Sequence, residues 1–149
     1  MLFLYTLTAL CVKVRYESVK WGLGMYLLKR VYDFSTADLP AVLADRLWPR
    51  GVAKARLDGV LWLKSVTPPD ELRRWFHQDP DMRYDEFCRR YRQALANEET
   101  QADLQQLRQL HARQNKLTLL TAAKTIERCH LPVLQCVLQG EIDIPNVSV

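Results

Sequence analysis

Two apolar runs constrain the fold more than anything else in this chain. Ala41-Val42-Leu43-Ala44 is apolar at every position up to Asp45, and Leu117-Thr118-Leu119-Leu120-Thr121 is almost as continuous. A strand with one wet face alternates polar and apolar residues; a strand apolar at successive positions is buried on both faces, as in parallel sheets. Parallel neighbours need long crossovers, usually helical. Leu27-Leu28-Lys29-Arg30-Val31-Tyr32 reads as a further strand, ending at Asp33. A short helix over Asp38 to Ala44 competes with the second strand, because Ala and Leu also favour helix. Leu57 to Lys64 is open between a short helix and a strand.

Helical patterns fill the space between the runs. Thr67-Pro68-Pro69-Asp70 offers an N-cap threonine, a proline at the first helical position and an acid in the first turn. The helix it opens carries Leu72, Trp75 and Phe76 and ends near His77. Asp79-Pro80 starts a second helix, with Tyr84, Phe87, Cys88, Tyr91 and Leu95 on one stripe. Its outer face pairs Asp85 with Arg89 and Glu86 with Arg90. Thr100 and Asp103 open a third, with Leu104, Leu107 and Leu110 inward. After the strand ending at Thr121, Thr125 is placed to cap a last helix through Leu138, stopped at Gly140, with Pro132 in its first turns. Interleaved strands and helices predict a small three-layer α/β domain with a mostly parallel central sheet flanked by helices.

The 149 residues suit one domain. Residues 1–24 differ in character from the rest of the chain, and Gly22-Leu23-Gly24 precedes Met25, so they are expected to be an extension. An added edge strand is the alternative. The domain is then 25–140, and 141–149 a tail. Met1 to Val12 is too short to span a membrane and lacks a basic start. The four cysteines form no CxxC pair, which argues against zinc and for reduced thiols in a cytoplasmic protein. A net charge of +4 is too mild to argue nucleic-acid binding by itself.

Chemistry concentrates in Asp45-Arg46-Leu47-Trp48-Pro49-Arg50-Gly51, which lies just after the second strand. Ligands of open α/β sheets bind beyond the carboxyl ends of strands. Arg46 and Arg50 suit a carboxylate or phosphate, which a guanidinium holds with two parallel bonds. Their structural alternative is an ion pair with Asp45 or Asp79. Trp48 can wall a pocket or belong to the core. Asp45 is a candidate base, or a carboxylate that holds an arginine. Lys124 comes after the other buried strand and suits a phosphate, or is simply solvated. A helix starting at Thr125 would add free N–H groups to an anion site. His130 titrates near neutrality and is a candidate acid or base; a packed helix histidine is the alternative. Cys129 beside His130 is weak as a nucleophile–base pair, because adjacent helix positions point about 100° apart. No Walker, GxGxxG, GxSxG, HExxH or EF-hand pattern occurs, and no metal or cofactor is expected.

The heptapeptide, together with Lys29-Arg30-Val31-Tyr32-Asp33, Trp62-Leu63-Lys64, Glu71-Leu72-Arg73-Arg74-Trp75-Phe76, Asp79-Pro80, Phe87-Cys88-Arg89-Arg90-Tyr91, Thr118 to Lys124 and His130, resembles the YeaO-like branch of the domain of unknown function 488 family. The likeness covers about Met25 to Leu138. It implies a compact α/β protein starting near Met25, and brings no established activity. Two positions depart from the family pattern: Thr125 stands where an Asp is usual, and Cys129 where an Asn is usual. If that Asp is a catalytic acid in the family, the chemistry here is altered; if Lys124 and His130 suffice, it is intact.

The functional expectation is a protein that binds or acts on an anionic, phosphorylated or nucleotide-like compound. Asp45 and His130 would do the proton chemistry, and Arg46, Trp48, Arg50 and Lys124 would bind. Whether it is an enzyme stays open. A nucleic-acid-binding or regulatory module using Arg73, Arg74, Arg89, Arg90 and Arg92, and an interaction protein without catalysis, are the alternatives.

Overall fold

The computed structural model describes residues 25–140; the extension and the tail expected from the sequence lie outside them. Four strands form one all-parallel sheet: β1 (Met25–Arg30), β2 (Ala41–Leu43), β3 (Leu61–Trp62) and β4 (Lys116–Thr121), in the spatial order β1-β4-β2-β3. Four α-helices accompany them: α1 (Asp70–Gln78), α2 (Pro80–Leu95), α3 (Glu98–Gln114) and α4 (Leu131–Leu138). The expected α/β domain with a parallel sheet is what forms, and the run at Ala41 is a strand.

Strand periodicity sorts the two faces. Leu117 and Leu119 of β4 and Val42 of β2 point into a large core with Leu104, Leu107, Phe76, Phe87 and Leu134 from the helices. Leu120 and Leu43, paired in register, point the other way, into a smaller core with Val31, Phe34, Val52 and Leu57. That second layer contains no α-helix residue; it is built from the connections 31–40 and 44–60, which carry short 3-10 turns. Topology explains the asymmetry. The β1–β2 and β2–β3 connections advance across the sheet in one direction, and the β3–β4 connection, with three helices, runs back. Crossovers of one hand that reverse direction must change face.

Helix starts differ from the capping signals. Thr67 does not cap α1; its hydroxyl donates to the Lys64 carbonyl at 2.5 Å and the helix begins at Asp70, with Asp70 and Glu71 in its first turn. Asn97, not Thr100, caps α3, accepting from the Glu99 N–H at 3.1 Å. Thr100 is buried and donates to the Ser65 carbonyl. Residues 126–128 form only a 3-10 turn, and α4 starts at Leu131, where Pro132 fits the first turn. Every residue of α4 is buried, so it is a core helix without a wet face.

Candidate functional site

Asp45 leaves β2 where the β2–β4 ladder stops. Its carboxylate accepts from the Thr121 hydroxyl at 2.8 Å and from the Ala122 N–H at 2.7 Å, so it closes the end of the neighbouring strand. Its own carbonyl accepts from the Trp62 indole N–H at 2.7 Å. Asp45 therefore ties β3, β2 and β4 together at their carboxyl ends, and neither Arg46 nor Arg50 pairs with it.

His130 lies beside this carboxylate. Its Nε2 is 2.5 Å from the Ala44 carbonyl and 3.6 Å from Asp45 Oδ1. A carbonyl only accepts, so Nε2 carries the proton and the neutral ring presents a bare Nδ1. Burial pushes the His130 pKa below its ordinary 6.5, with Asp45 and the Ala44 carbonyl pulling the other way and His77 adding to the drop. The ring is neutral at pH 7, and the contact with Asp45 is not an ion pair there. Tyr91 packs edge-on against the ring at 6.0 Å. The neighbouring Cys129 is no nucleophile: burial pushes its thiol up to about 12. Its Sγ donates to the Ile126 carbonyl at 3.2 Å and accepts from the Leu131 N–H at 3.4 Å.

A cavity of about 370 Å³ opens at these strand ends. Asp45, Arg46, Trp48, Arg50 and His130 all line it. Lys124 does not; it is exposed and outside the cavity wall. Arg46 uses only Nε, donating to the Pro68 carbonyl at 3.3 Å, and its terminal amino groups bond to none of the described residues. The exposed Arg50 side chain has no hydrogen bond or ion pair among them. Trp48 serves both readings at once. It packs edge-on against Trp62 at 5.2 Å and donates to the Val52 carbonyl at 2.7 Å, while still lining the cavity.

Three groups of wall residues were not legible as such. Phe76 and Phe87 read as core from their helical spacing, and they are both core and wall. Arg73 lines the cavity from α1, its guanidinium bonded to Asp70 at 2.6 and 3.2 Å. Tyr32 comes from just beyond β1 and donates to the Arg50 carbonyl at 3.3 Å; its position after a strand was the one available signal. The expected helical anion cradle after Lys124 is not built. At the start of α4 the Leu131 N–H is taken by Cys129 Sγ, and Pro132 has no N–H.

Among the described residues no group of three or more His, Cys, Asp or Glu side chains is arranged to hold a metal ion, and no helix is long and apolar enough to cross a membrane. The arginines of the alternative reading are largely paired on their own helices: Asp70 with Arg73 and Arg74, Glu86 with Arg89 and Arg90. The expected Asp85–Arg89 pair is replaced by the shared Glu86.

A family model described as domain of unknown function DUF488 matches residues 27–138. The chain is 40% identical over 112 residues to the uncharacterized protein Rv3073c of Mycobacterium tuberculosis (strain H37Rv), covering 74% of this chain and 91% of that one. It is 39% identical over 111 residues to the uncharacterized protein YeaO of Escherichia coli K12, covering 71% and 90%. No solved structure matches significantly.

Proposed function

The chain belongs to the DUF488 family, and we propose that it binds, or acts on, a small anionic compound in the cavity at the carboxyl ends of β2 and β4. One observation carries this reading. Arg46 and Arg50, from a single heptapeptide, line one cavity and neither is in an ion pair among the described residues. The carboxylate nearest them in sequence, Asp45, is spent on Thr121 and Ala122. Asp70 attracts Arg46 through space but is bonded to Arg73 and Arg74, and guanidinium groups without a bonded counter-charge attract an anion.

Each role rests on the geometry. Arg46 and Arg50 hold the anion, and Trp48 walls the pocket. Asp45 holds the strand ends that frame the site. His130, neutral with its proton fixed on Nε2, accepts a hydrogen bond or a proton at Nδ1. Pairing of four helix arginines with Asp70 and Glu86 leaves less free positive charge for nucleic acid, so the small-ligand reading is preferred.

The test is a thermal-shift screen of the full chain against nucleotides, sugar phosphates, simple carboxylates and short DNA. Stabilisation by a small anion, lost in both Arg46→Ala and Arg50→Ala, is the expected result. DNA binding that fades with salt, without any small-molecule shift, would move the assignment to a nucleic-acid module.

A further inference from the structure

Two further arginines stand just outside the cavity, and they bear on how many charges its ligand carries. Resting on the reading above, we propose that the ligand has two separated anionic groups, one in the cavity and the other beside its mouth on Arg30 and Arg56.

Tyr32 gathers this second cluster. It is a wall residue of the cavity and is 38% exposed. The Arg30 guanidinium lies over its ring, 5.2 Å from the centroid. Arg56 Nη2 donates to its carbonyl at 2.9 Å, and its own hydroxyl donates to the Arg50 carbonyl at 3.3 Å. Arg30 also donates from Nε to the carbonyl of Ala123, another wall residue, at 3.1 Å. The strand register brings Arg30 here, since the last residue of β1 pairs with Thr121, which lines the cavity too. The cluster therefore borders the mouth, within reach of a compound whose other end lies inside.

The two guanidinium groups are held and still unspent. A surface arginine is ordinarily mobile, and ordering it on a ligand costs conformational entropy. Here a backbone carbonyl already fixes each one, and an aromatic face supports Arg30 as well. Both Nη groups of Arg30, and Nε and Nη1 of Arg56, have no acceptor among the described residues. Asp33 and Asp58, exposed acids of the same layer, form no ion pair with either. Two like charges held on one residue repel, and an anion between them relieves that repulsion. Guanidinium groups accept phosphate and carboxylate alike, so the cluster sets the number of anionic groups and leaves their kind open.

Calorimetric titration of the full chain with three matched pairs tests this: AMP against adenosine 3′,5′-bisphosphate, glucose 6-phosphate against glucose 1,6-bisphosphate, and hexanoate against adipate. In whichever pair binds, the compound with two anionic groups is expected to bind about five- to tenfold more tightly. Arg30→Ala and Arg56→Ala each remove most of that gain and leave the singly anionic partner within about twofold. Arg56 is exposed in a short 3-10 turn, so Arg56→Ala carries the test should Arg30→Ala not fold. Lys54→Ala, a neighbouring exposed cation, leaves both members of a pair within about twofold. Equal affinities within every binding pair, with binding still lost in Arg46→Ala and Arg50→Ala, overturn the second group and leave the anion site standing. A gain that survives Arg56→Ala, or that Lys54→Ala removes equally, overturns the placement, because the general field of the surface then supplies it. Silence from all three pairs, together with silence in the wider anion screen, overturns both readings.

Discussion

At the scale of single residues, backbone groups hold both Asp45 and His130 at the strand ends. Asp45 has the side chain of a base, yet both its oxygens are engaged by β4 and the residue after it. Asp45→Ala leaves the Ala122 N–H without its acceptor and is expected to lower stability by about 1–3 kcal/mol, read from urea unfolding. Asp45→Asn keeps one acceptor and loses less. The fold moves the titration of His130. Its pKa in the folded protein lies below the ordinary 6.5, so between the two values the unfolded chain binds more protons. Stability is therefore fully present above about pH 6.5 and falls as pH drops below it. The Glu86 carboxyl, held down to about 2 by Arg89 and Arg90, loses its contribution only in much stronger acid. The unfolding midpoint tracked from pH 7.5 to 5.5 should fall in wild type and stay flatter in His130→Gln; an unchanged slope would show that His130 is not the group responsible. The sequence pointed to Asp45 and His130 by residue type. It carried no sign that a backbone carbonyl would fix the imidazole proton, because Ala44 and His130 are 86 positions apart.

At the scale of elements, the strands were legible and the helix starts were not. β2 and β4 announce themselves by continuous apolar character, and their side chains divide between two cores as a period of two demands. Capping residues mark helix starts only when their hydroxyl is turned toward the free N–H groups of the helix. Thr67 and Thr100 instead donate their hydroxyls to the carbonyls of Lys64 and Ser65. α4 shows the weakness of reading helices by amphipathicity, since all eight of its residues are buried. Leu134, fully buried in the helix-side core, is expected to cost about 2–5 kcal/mol as Leu134→Ala, measurable by the same urea titration. Residues 126–128 form a 3-10 turn and α4 begins only at Leu131, so the helical N–H groups expected to add to an anion site beside Lys124 are not there. Lys124→Ala should leave ligand affinity within about twofold, as a screened surface charge does, where Arg46→Ala does not; an equal loss in both would put Lys124 back into the site.

At the scale of the whole molecule, the cavity exists because adjacent strands send the chain to opposite faces. After β2 the chain turns to the 3-10 layer, and after β4 it turns to α4 and the helical layer. A crevice opens between such neighbours at their carboxyl ends, and Asp45 and Ala122 bridge it. A ligand there touches both layers and should stabilise the domain as one unit. At a hundred times its dissociation constant the gain is about 2.7 kcal/mol, and the thermal transition should move up without splitting; two separate transitions would show that the layers unfold independently. The sequence by itself determined the parallel sheet, its buried strands and the heptapeptide at a strand end, because these are properties of short contiguous runs. Only the tertiary structure decided that Arg46 and Arg50 go without an ion pair, that Lys124 lies outside the cavity, and that Phe76, Phe87 and Arg73 complete the wall. Those outcomes depend on which distant groups meet, and hydrophobic periodicity fixes the face a residue occupies without fixing its partner across the fold.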